Sequence, residues 1–409
     1  MIFTTCNINS MVLKNRFIKT AVGDFSAGPN GYCSESYSRY LEQFAKGGVA
    51  LICTGPAAIR PDFRVNHYQL SISNQKAADS CRSLIDRVHT YGAKIFVFPE
   101  YANEVIVKFI GSVTEHESFK YRDIFKNMQR WITSFLQVNE IVKIINLYKE
   151  AIIRSKQAGF DGVFLNVCFG SLLQTMSSLT FNQRKDQWGG SLKKRLRILK
   201  EILGICKDLD FPVMVRWNLK DYGSGGLTLD ESLEACRLLQ AYGADALELL
   251  AFFSIESTIA LNEDIEQRES LPLTETTDLL DCYRVMHAFA QNSFLLKRQK
   301  DIGFPLEYVW GHAYFNVLPI KNLLRIPVSL LGGVRSLKTA ESIISNGIAD
   351  FISMARTLIY DPAQCRGFGE GTSSYSSCIS CNCCMNEMFS SLRDPSRPYL
   401  PYCRVRGNS

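Results

Sequence analysis

Three places in this chain carry residue types whose spacing could do chemistry. The first is a pair of short loops, Gly332-Gly333 and Ala355-Arg356, each just past an apolar run. Glycines let backbone N–H groups approach an anion and an arginine adds a fixed charge, so the two loops suit a phosphate group. The second is Arg216, which closes the apolar run 212–216. A guanidinium there either faces the anionic edge of a ligand or pairs with a neighbouring carboxylate inside the fold. The third is the cysteine tail: Cys378, Cys381, Cys383 and Cys384, with Cys403 further on. Its C-x-x-C spacings suit a soft metal ion, redox chemistry, or simply reduced thiols.

These residues need elements to hold them. Eight short apolar runs, 17–22, 48–53, 94–98, 162–166, 212–216, 246–251, 326–331 and 350–354, read as strands. Several are apolar throughout, as parallel strands covered on both faces must be. Helices are predicted between them at 75–91, 138–158, 190–207, 229–242, 309–323 and 337–346, two of which stop just before Gly243 and Gly347. Eight strands alternating with helices predict an α/β fold, a TIM barrel. Its rival, a doubly wound sheet, would carry G-x-G-x-x-G after its first strand, and no such motif occurs. The glycine pair would then follow barrel strand seven, Ala355-Arg356 strand eight, and Arg216 end strand five. All are positions at the C-terminal face, where barrels build their sites.

The chain has 409 residues, which suits one large α/β barrel or two smaller domains, and its 46% hydrophobic and 21% charged content is ordinary for a soluble globular protein. The expected division is a barrel over 1–362, with long insertions near 104–137 and 252–308 acting as pocket wall or as decoration, and an irregular Cys-rich extension over 363–409. Net charge is +6 and scattered, with no basic block interleaved with aromatics, so no nucleic-acid partner is expected. No apolar run is long enough to span a membrane and no signal peptide is read at the start. Fourteen cysteines without such a signal suggest reduced thiols in the cytoplasm.

Three blocks together resemble a known family. They are residues 13–23, which begin Leu13-Lys14-Asn15-Arg16; residues 45–55, which begin Ala45-Lys46-Gly47-Gly48; and the loop from Asn182 through Arg184, Asp186 and Trp188 to Gly189-Gly190-Ser191. Their order and spacing are similar to those of the Old Yellow Enzyme-like flavin oxidoreductases. The resemblance implies FMN as cofactor and NAD(P)H as reductant, with hydride passed through FMN to an activated alkene, a quinone or a similar small electron acceptor. It places Ala21, Val22, Pro56, Phe98 and Arg216 around the flavin ring, and Gly332, Gly333, Ala355 and Arg356 at its phosphate. Lys14, Asn15 and Arg16 are expected only to fix the start of strand one.

The same resemblance shows what is missing. A glutamine that would bond the ring is Phe98, and Pro56 has no N–H to offer. Where the family pairs two polar donors over the substrate, this chain has Asn166 and Phe169, and the usual tyrosine acid is Ser171. Asn166 and Ser171 are the catalytic candidates that remain, Asn166 and Phe169 the substrate-pocket candidates. Ordinary enone reduction should therefore be slow compared with reduction of oxygen or a quinone. In the tail, Cys378, Cys381, Cys384 and Cys403 are the metal candidates. However, the spacing of two-domain relatives places Met385 at the third ligand, so no iron–sulfur cluster is expected. Two alternatives stand beside the enzyme: a catalytically degenerate barrel that binds FMN or another ligand, and a different phosphate-binding barrel enzyme.

Overall fold

The computed structural model describes residues 1–102, 136–168, 171–179, 181–219, 227–250, 317–379, 383–384, 387–388, 391, 394–404 and 406. Eight parallel strands close into a barrel: β3 (Phe17–Lys19), β4 (Leu51–Ala58), β5 (Lys94–Glu100), β6 (Gly162–Val167), β7 (Val213–Asn218), β8 (Ala246–Leu250), β9 (Val328–Leu331) and β10 (Phe351–Met354), with β10 returning to β3. All eight expected strands are present. The predicted starts at 48 and 326 are too early, because Gly48 has a positive φ and Pro327 supplies only its carbonyl, which accepts from Leu247 N.

Two short strands precede the barrel. β1 (Cys6–Ile8) and β2 (Met11–Leu13) form an antiparallel hairpin that the apolar runs do not announce. Ile8 and Leu13 of the hairpin pack with Ile18, Leu51, Phe96, Phe164, Met214, Ala246 and Phe351. The hairpin thus caps the N-terminal end of the barrel interior. Each of those large side chains gains about 1.5–3 kcal/mol from leaving water.

The outer layer is helical: α1 (Glu35–Lys46), α2 (Gln75–Asp79), α3 (Arg82–Thr90), α4 (Val138–Ala158), α5 (Leu172–Ser177), α6 (Leu192–Arg195), α7 (Arg197–Asp208), α8 (Leu229–Tyr242), α9 (Leu318–Leu323), α10 (Leu337–Ser345), α11 (Arg356–Tyr360) and α12 (Gln364–Glu370). The expected helix 75–91 is two helices, since the Ser80 hydroxyl turns back to the Ala77 carbonyl at 2.6 Å. The helix 190–207 is likewise split at Leu196. α8 ends on Gly243 at φ 109, the left-handed stop read from the sequence. Beyond 362 the chain is not irregular at first: α12 follows, and its Phe368 and Cys365 join the main core.

The blocks that carried the resemblance are largely scaffold. Lys14 Nζ holds the Tyr91 carbonyl at 2.7 Å, Asn15 Nδ2 holds that of Gly48 at 2.8 Å, and Arg16 Nη1 holds that of Asp350 at 3.0 Å. They fix the start of β3, as expected. At Gly47 a β-carbon would overlap the Pro362 carbonyl, so the glycine permits the return of the chain after β10. In the Trp188 loop, Asn182 Nδ2 donates to the carbonyls of Met176 and Trp188, and Asp186 accepts from Arg184 and from Trp188 N. The 252–308 insertion, and 104–137 apart from its last two residues, lie outside the described residues, as do 309–316 of the predicted 309–323 helix.

Candidate functional site

The strands set one row of polar side chains across the barrel. Asn166 of β6 is level with Arg216 of β7, and Arg216 with Glu248 of β8. Arg216 is not the last residue of its strand, as the apolar run suggested; β7 continues to Asn218. It is 4% exposed and turned into the barrel. Its Nε donates to Glu248 Oε1 at 2.6 Å and its Nη2 to the Ala21 carbonyl at 3.0 Å and to Thr20 Oγ1. Thr20 Oγ1 in turn donates to Glu248 at 2.7 Å. The described residues show the carboxylate pairing of Arg216, and its second bond ties it to the segment that the resemblance sets at the flavin ring.

Phe98 belongs to the barrel core. Its ring meets Phe164 edge-on at 5.8 Å, and Phe164 lies under the Arg216 guanidinium at 4.7 Å. Pro56 pairs directly with Phe98 where β4 shifts register, and Val22 is half-buried beside Ala21. This end of the site is an apolar floor with one charged edge.

Asn166 and Ser171 are less free than the sequence suggests. Asn166 Nδ2 donates to the Cys168 carbonyl at 3.0 Å, while its Oδ1 is buried without a hydrogen-bond donor among the described residues. It thus offers an acceptor where a donor was expected. The Ser171 hydroxyl donates to the Asn166 carbonyl at 2.8 Å and accepts from Gln174 N at 3.2 Å, so it caps α5. Ser171-x-x-Gln174 is a capping-box spacing, a signal that sequence reading could have used. Phe169 lies outside the described residues.

At the other end of the mouth, Gly332 (φ 131) and Gly333 (φ 72) follow β9, and Ala355-Arg356 opens α11 just after β10. β9 and β10 are paired, so the two loops are neighbours. Among the described residues nothing stands within 4 Å of where a β-carbon of Gly332 would be. A left-handed glycine facing open space, beside the start of a helix, fits a phosphate group.

Sequence reading missed Glu100. Phe96 and Phe98 of β5 point into the barrel, and alternation puts Glu100 on the same face at the C-terminal end. Glu100 is half-buried there, and desolvation pushes its pKa up to about 8. Period two along β5 was the available signal.

A second carboxyl, the buried Asp24, lies three residues past Ala21. Its carboxylate lies against Gly55 and Tyr37, and burial pushes its pKa up to about 6, against the opposing charge of Lys19 and the donors on Tyr37 and Gly55. Lys19 is itself sealed between β3 and α1, its ammonium donating to the Cys53 carbonyl at 3.0 Å. The tail passes close by. Met388 packs against Gly23, and Phe25 and Tyr399 exchange backbone bonds of 2.7 Å. Among the described residues no group of three metal ligands assembles; Cys381 lies outside them, and Cys378, Cys384 and Cys403 are half-buried in the tail.

Residues 1–275 match the NADH:flavin oxidoreductase / NADH oxidase family. The chain belongs to that family. FMN is therefore its cofactor, and the polar row and the open glycine loop are consistent with holding it. The match supports an FMN-dependent oxidoreductase over the different phosphate-binding barrel enzyme. The chain is 28% identical over 401 residues to an NADH oxidase of Thermoanaerobacter brockii, covering 96% of this chain and 54% of that protein. It therefore spans about half of that relative. It is 25% identical over 413 residues to a 4,4'-dithiodibutanoate disulfide reductase of Rhodococcus erythropolis, covering 96% and 94%. In fold it is similar to an Old Yellow Enzyme homologue of Zymomonas mobilis, with a TM-score of 0.63, 16% identity, and 93% and 95% of the two chains covered. Among the described residues no helix is long and apolar enough to cross a membrane.

Proposed function

We propose that this chain is a cytoplasmic NAD(P)H oxidoreductase that passes hydride by way of FMN to a small acceptor, with quinones and oxygen preferred over simple enones. The observation that carries this reading is the row Asn166–Arg216–Glu248, fixed across three strands beside the Ala21 carbonyl. FMN, when bound, supplies two-electron exchange between a nicotinamide and an acceptor. Arg216 would hold a positive charge at the pyrimidine edge, moderated by Glu248. Gly332, Gly333, Ala355 and Arg356 would hold the phosphate. Phe98 and Pro56 would form a water-excluding floor. Asn166 presents an acceptor, and so favours a substrate or nicotinamide with a donor at that point. Glu100 would supply the proton that Ser171, committed to its helix cap, does not.

The capping role of Ser171 and the orientation of Asn166 also favour a second reading, a barrel that holds FMN without turnover. One experiment tests both. Protein purified with FMN is titrated anaerobically with NADH and with NADPH, and bleaching of the flavin band is followed. Stoichiometric bleaching by either nucleotide, then recovery on adding menadione, supports the enzyme. A bound flavin that neither nucleotide bleaches leaves the binding barrel.

A further inference from the structure

β4 carries an irregularity beside the apolar floor. Its pairing with β5 is in step up to Cys53 and Phe96 and resumes at Pro56 and Phe98, so β4 holds one extra residue at Thr54-Gly55. A bulge of this kind bends its strand and re-aims the side chains next to it. Its unpaired backbone groups need partners off the ladder. Thr54 supplies one: its Oγ1 accepts from Phe98 N at 3.0 Å and donates to the Gly55 carbonyl at 2.8 Å. The rest come from β3 and α1. Lys19 Nζ donates to the Cys53 carbonyl at 3.0 Å, and Gly55 N donates to Tyr37 Oη at 3.3 Å. The Asp24 carboxyl then faces Gly55 directly. A β-carbon at Gly55 would stand 2.3 Å from Asp24 Oδ1 and 2.5 Å from its Cγ, so the carboxyl occupies the space that any larger residue would fill. Asp24, Lys19 and Tyr37 are all buried. Asp24 stands two residues past Val22, and Gly55 one before Pro56. A single contact therefore joins the two segments that the resemblance sets at the flavin ring.

We propose that Asp24 is a positioning residue for the flavin chemistry: its carboxyl, braced on Gly55, fixes the β4 bulge against the segment after β3 and so sets the aim of Pro56 and Phe98 at the ring. This rests on the reading that the FMN ring lies at Ala21, Val22, Pro56 and Phe98. Asp24 acts through Gly55 and not on a reacting atom. Without the carboxyl a gap opens at Gly55, and the bulge is free to move relative to β5. The floor under the ring moves with it, whereas the phosphate loops after β9 and β10 are separate elements. A shift of the ring by a fraction of an ångström is felt in hydride transfer, which depends on close alignment of the reacting atoms.

The test compares full-length, FMN-loaded wild type with Asp24→Ala and Asp24→Asn. Visible circular dichroism of the bound flavin reports its surroundings, and anaerobic bleaching by NADH or NADPH gives a saturating rate and a half-saturating concentration. Asp24→Ala should change the dichroism and slow saturated bleaching by about 10- to 100-fold, with half-saturation little altered. Asp24→Asn keeps the shape and should keep both wild-type values. Asp24→Ser, a milder truncation that also cannot reach Gly55, takes the place of Asp24→Ala where that variant does not fold. Wild-type dichroism and rate in the truncated variant overturn the proposal, as does an Asp24→Asn variant as impaired as the truncation. If neither nucleotide bleaches the wild type, the functional reading fails on its own account, and the dichroism alone decides the role of Asp24.

Discussion

Arg216 and Glu248 stand level on adjacent strands inside the barrel, 2.6 Å apart, with 4% and 0% of their side chains exposed. A pair this deep is costly to break from one side, because the remaining charge loses its counter-charge away from water. Glu248→Ala should therefore lose about 3–5 kcal/mol in urea unfolding, whereas the double replacement Arg216→Met with Glu248→Leu should lose less than Glu248→Ala alone. A cost under about 1 kcal/mol for Glu248→Ala would show that the pair is not buried as described. The double variant also removes the charge tied to Ala21, so it should bind FMN more weakly even when folded.

The phosphate end carries a second expectation. Arg356 and the Gly332-Gly333 loop lie on neighbouring strand ends, while Phe98 and Pro56 offer the ring no polar side-chain group or amide. Affinity should thus reside mainly at the phosphate. Arg356→Ala should cost about 1.5–3 kcal/mol of FMN binding, the range for a hydrogen bond to a charged group. Fluorescence titration with FMN measures it. Unchanged affinity removes Arg356 from the site.

How much of this was legible follows from what each residue does. The barrel strands could be read because strands covered on both faces are written in apolar residues, as in 162–167. α1 was legible too but was passed over. Tyr37, Tyr40, Leu41, Phe44 and Ala45 are all buried and keep helical spacing, and Ser34 caps the start. The N-terminal hairpin was not legible, since three-residue strands carry too little pattern and its Ile8 and Leu13 gain meaning only under the barrel. At the site, the resemblance named positions but not their hydrogen bonds. Arg216 could have faced a ligand or a carboxylate, and only the register of β7 on β8 shows Glu248 opposite. Ser171 reads as a weak acid when set against a tyrosine, whereas its spacing to Gln174 marks the helix cap it makes.

Asp24 gives a stability expectation with a definite sign. Its pKa is about 6 in the folded protein against an ordinary 3.8, so the folded state holds the proton more tightly than the unfolded state. That contribution is fully present below about pH 4 and is lost as pH rises through 6. Two pKa units correspond to about 3 kcal/mol. Asp24→Asn should therefore match the wild type near pH 4 and exceed it at pH 8, by less than the full amount because Lys19 loses an attractive neighbour. Urea unfolding at the two pH values measures the difference. A variant less stable than wild type at pH 8 would mean that the Lys19 attraction outweighs burial.

The last expectation concerns the acid. Asn166 turns its amide to the Cys168 carbonyl and Ser171 its proton to the Asn166 carbonyl, so neither is free to protonate a substrate carbon. Glu100, on the barrel-facing side of β5 by alternation, is the acid we propose, with a pKa raised by burial to about 8. General acid catalysis contributes roughly 10²–10⁴-fold where a proton moves in the rate-limiting step. Reduction of 2-cyclohexenone needs a proton on carbon, whereas the first electron transfer to oxygen does not. Wild-type turnover should thus be faster with menadione or oxygen than with cyclohexenone, and the cyclohexenone rate should fall as pH rises through about 8. Glu100→Gln keeps the shape and removes the proton. It should lower cyclohexenone turnover by about 10²-fold and abolish the alkaline limb, while oxygen consumption and anaerobic bleaching by NAD(P)H change little. If the variant reduces cyclohexenone at the wild-type rate from pH 6 to pH 9, Glu100 is not the acid. If cyclohexenone already matches menadione in the wild type, the pocket is better equipped than its Asn166, Ser171 and Glu100 indicate, and the preference for quinones falls with it.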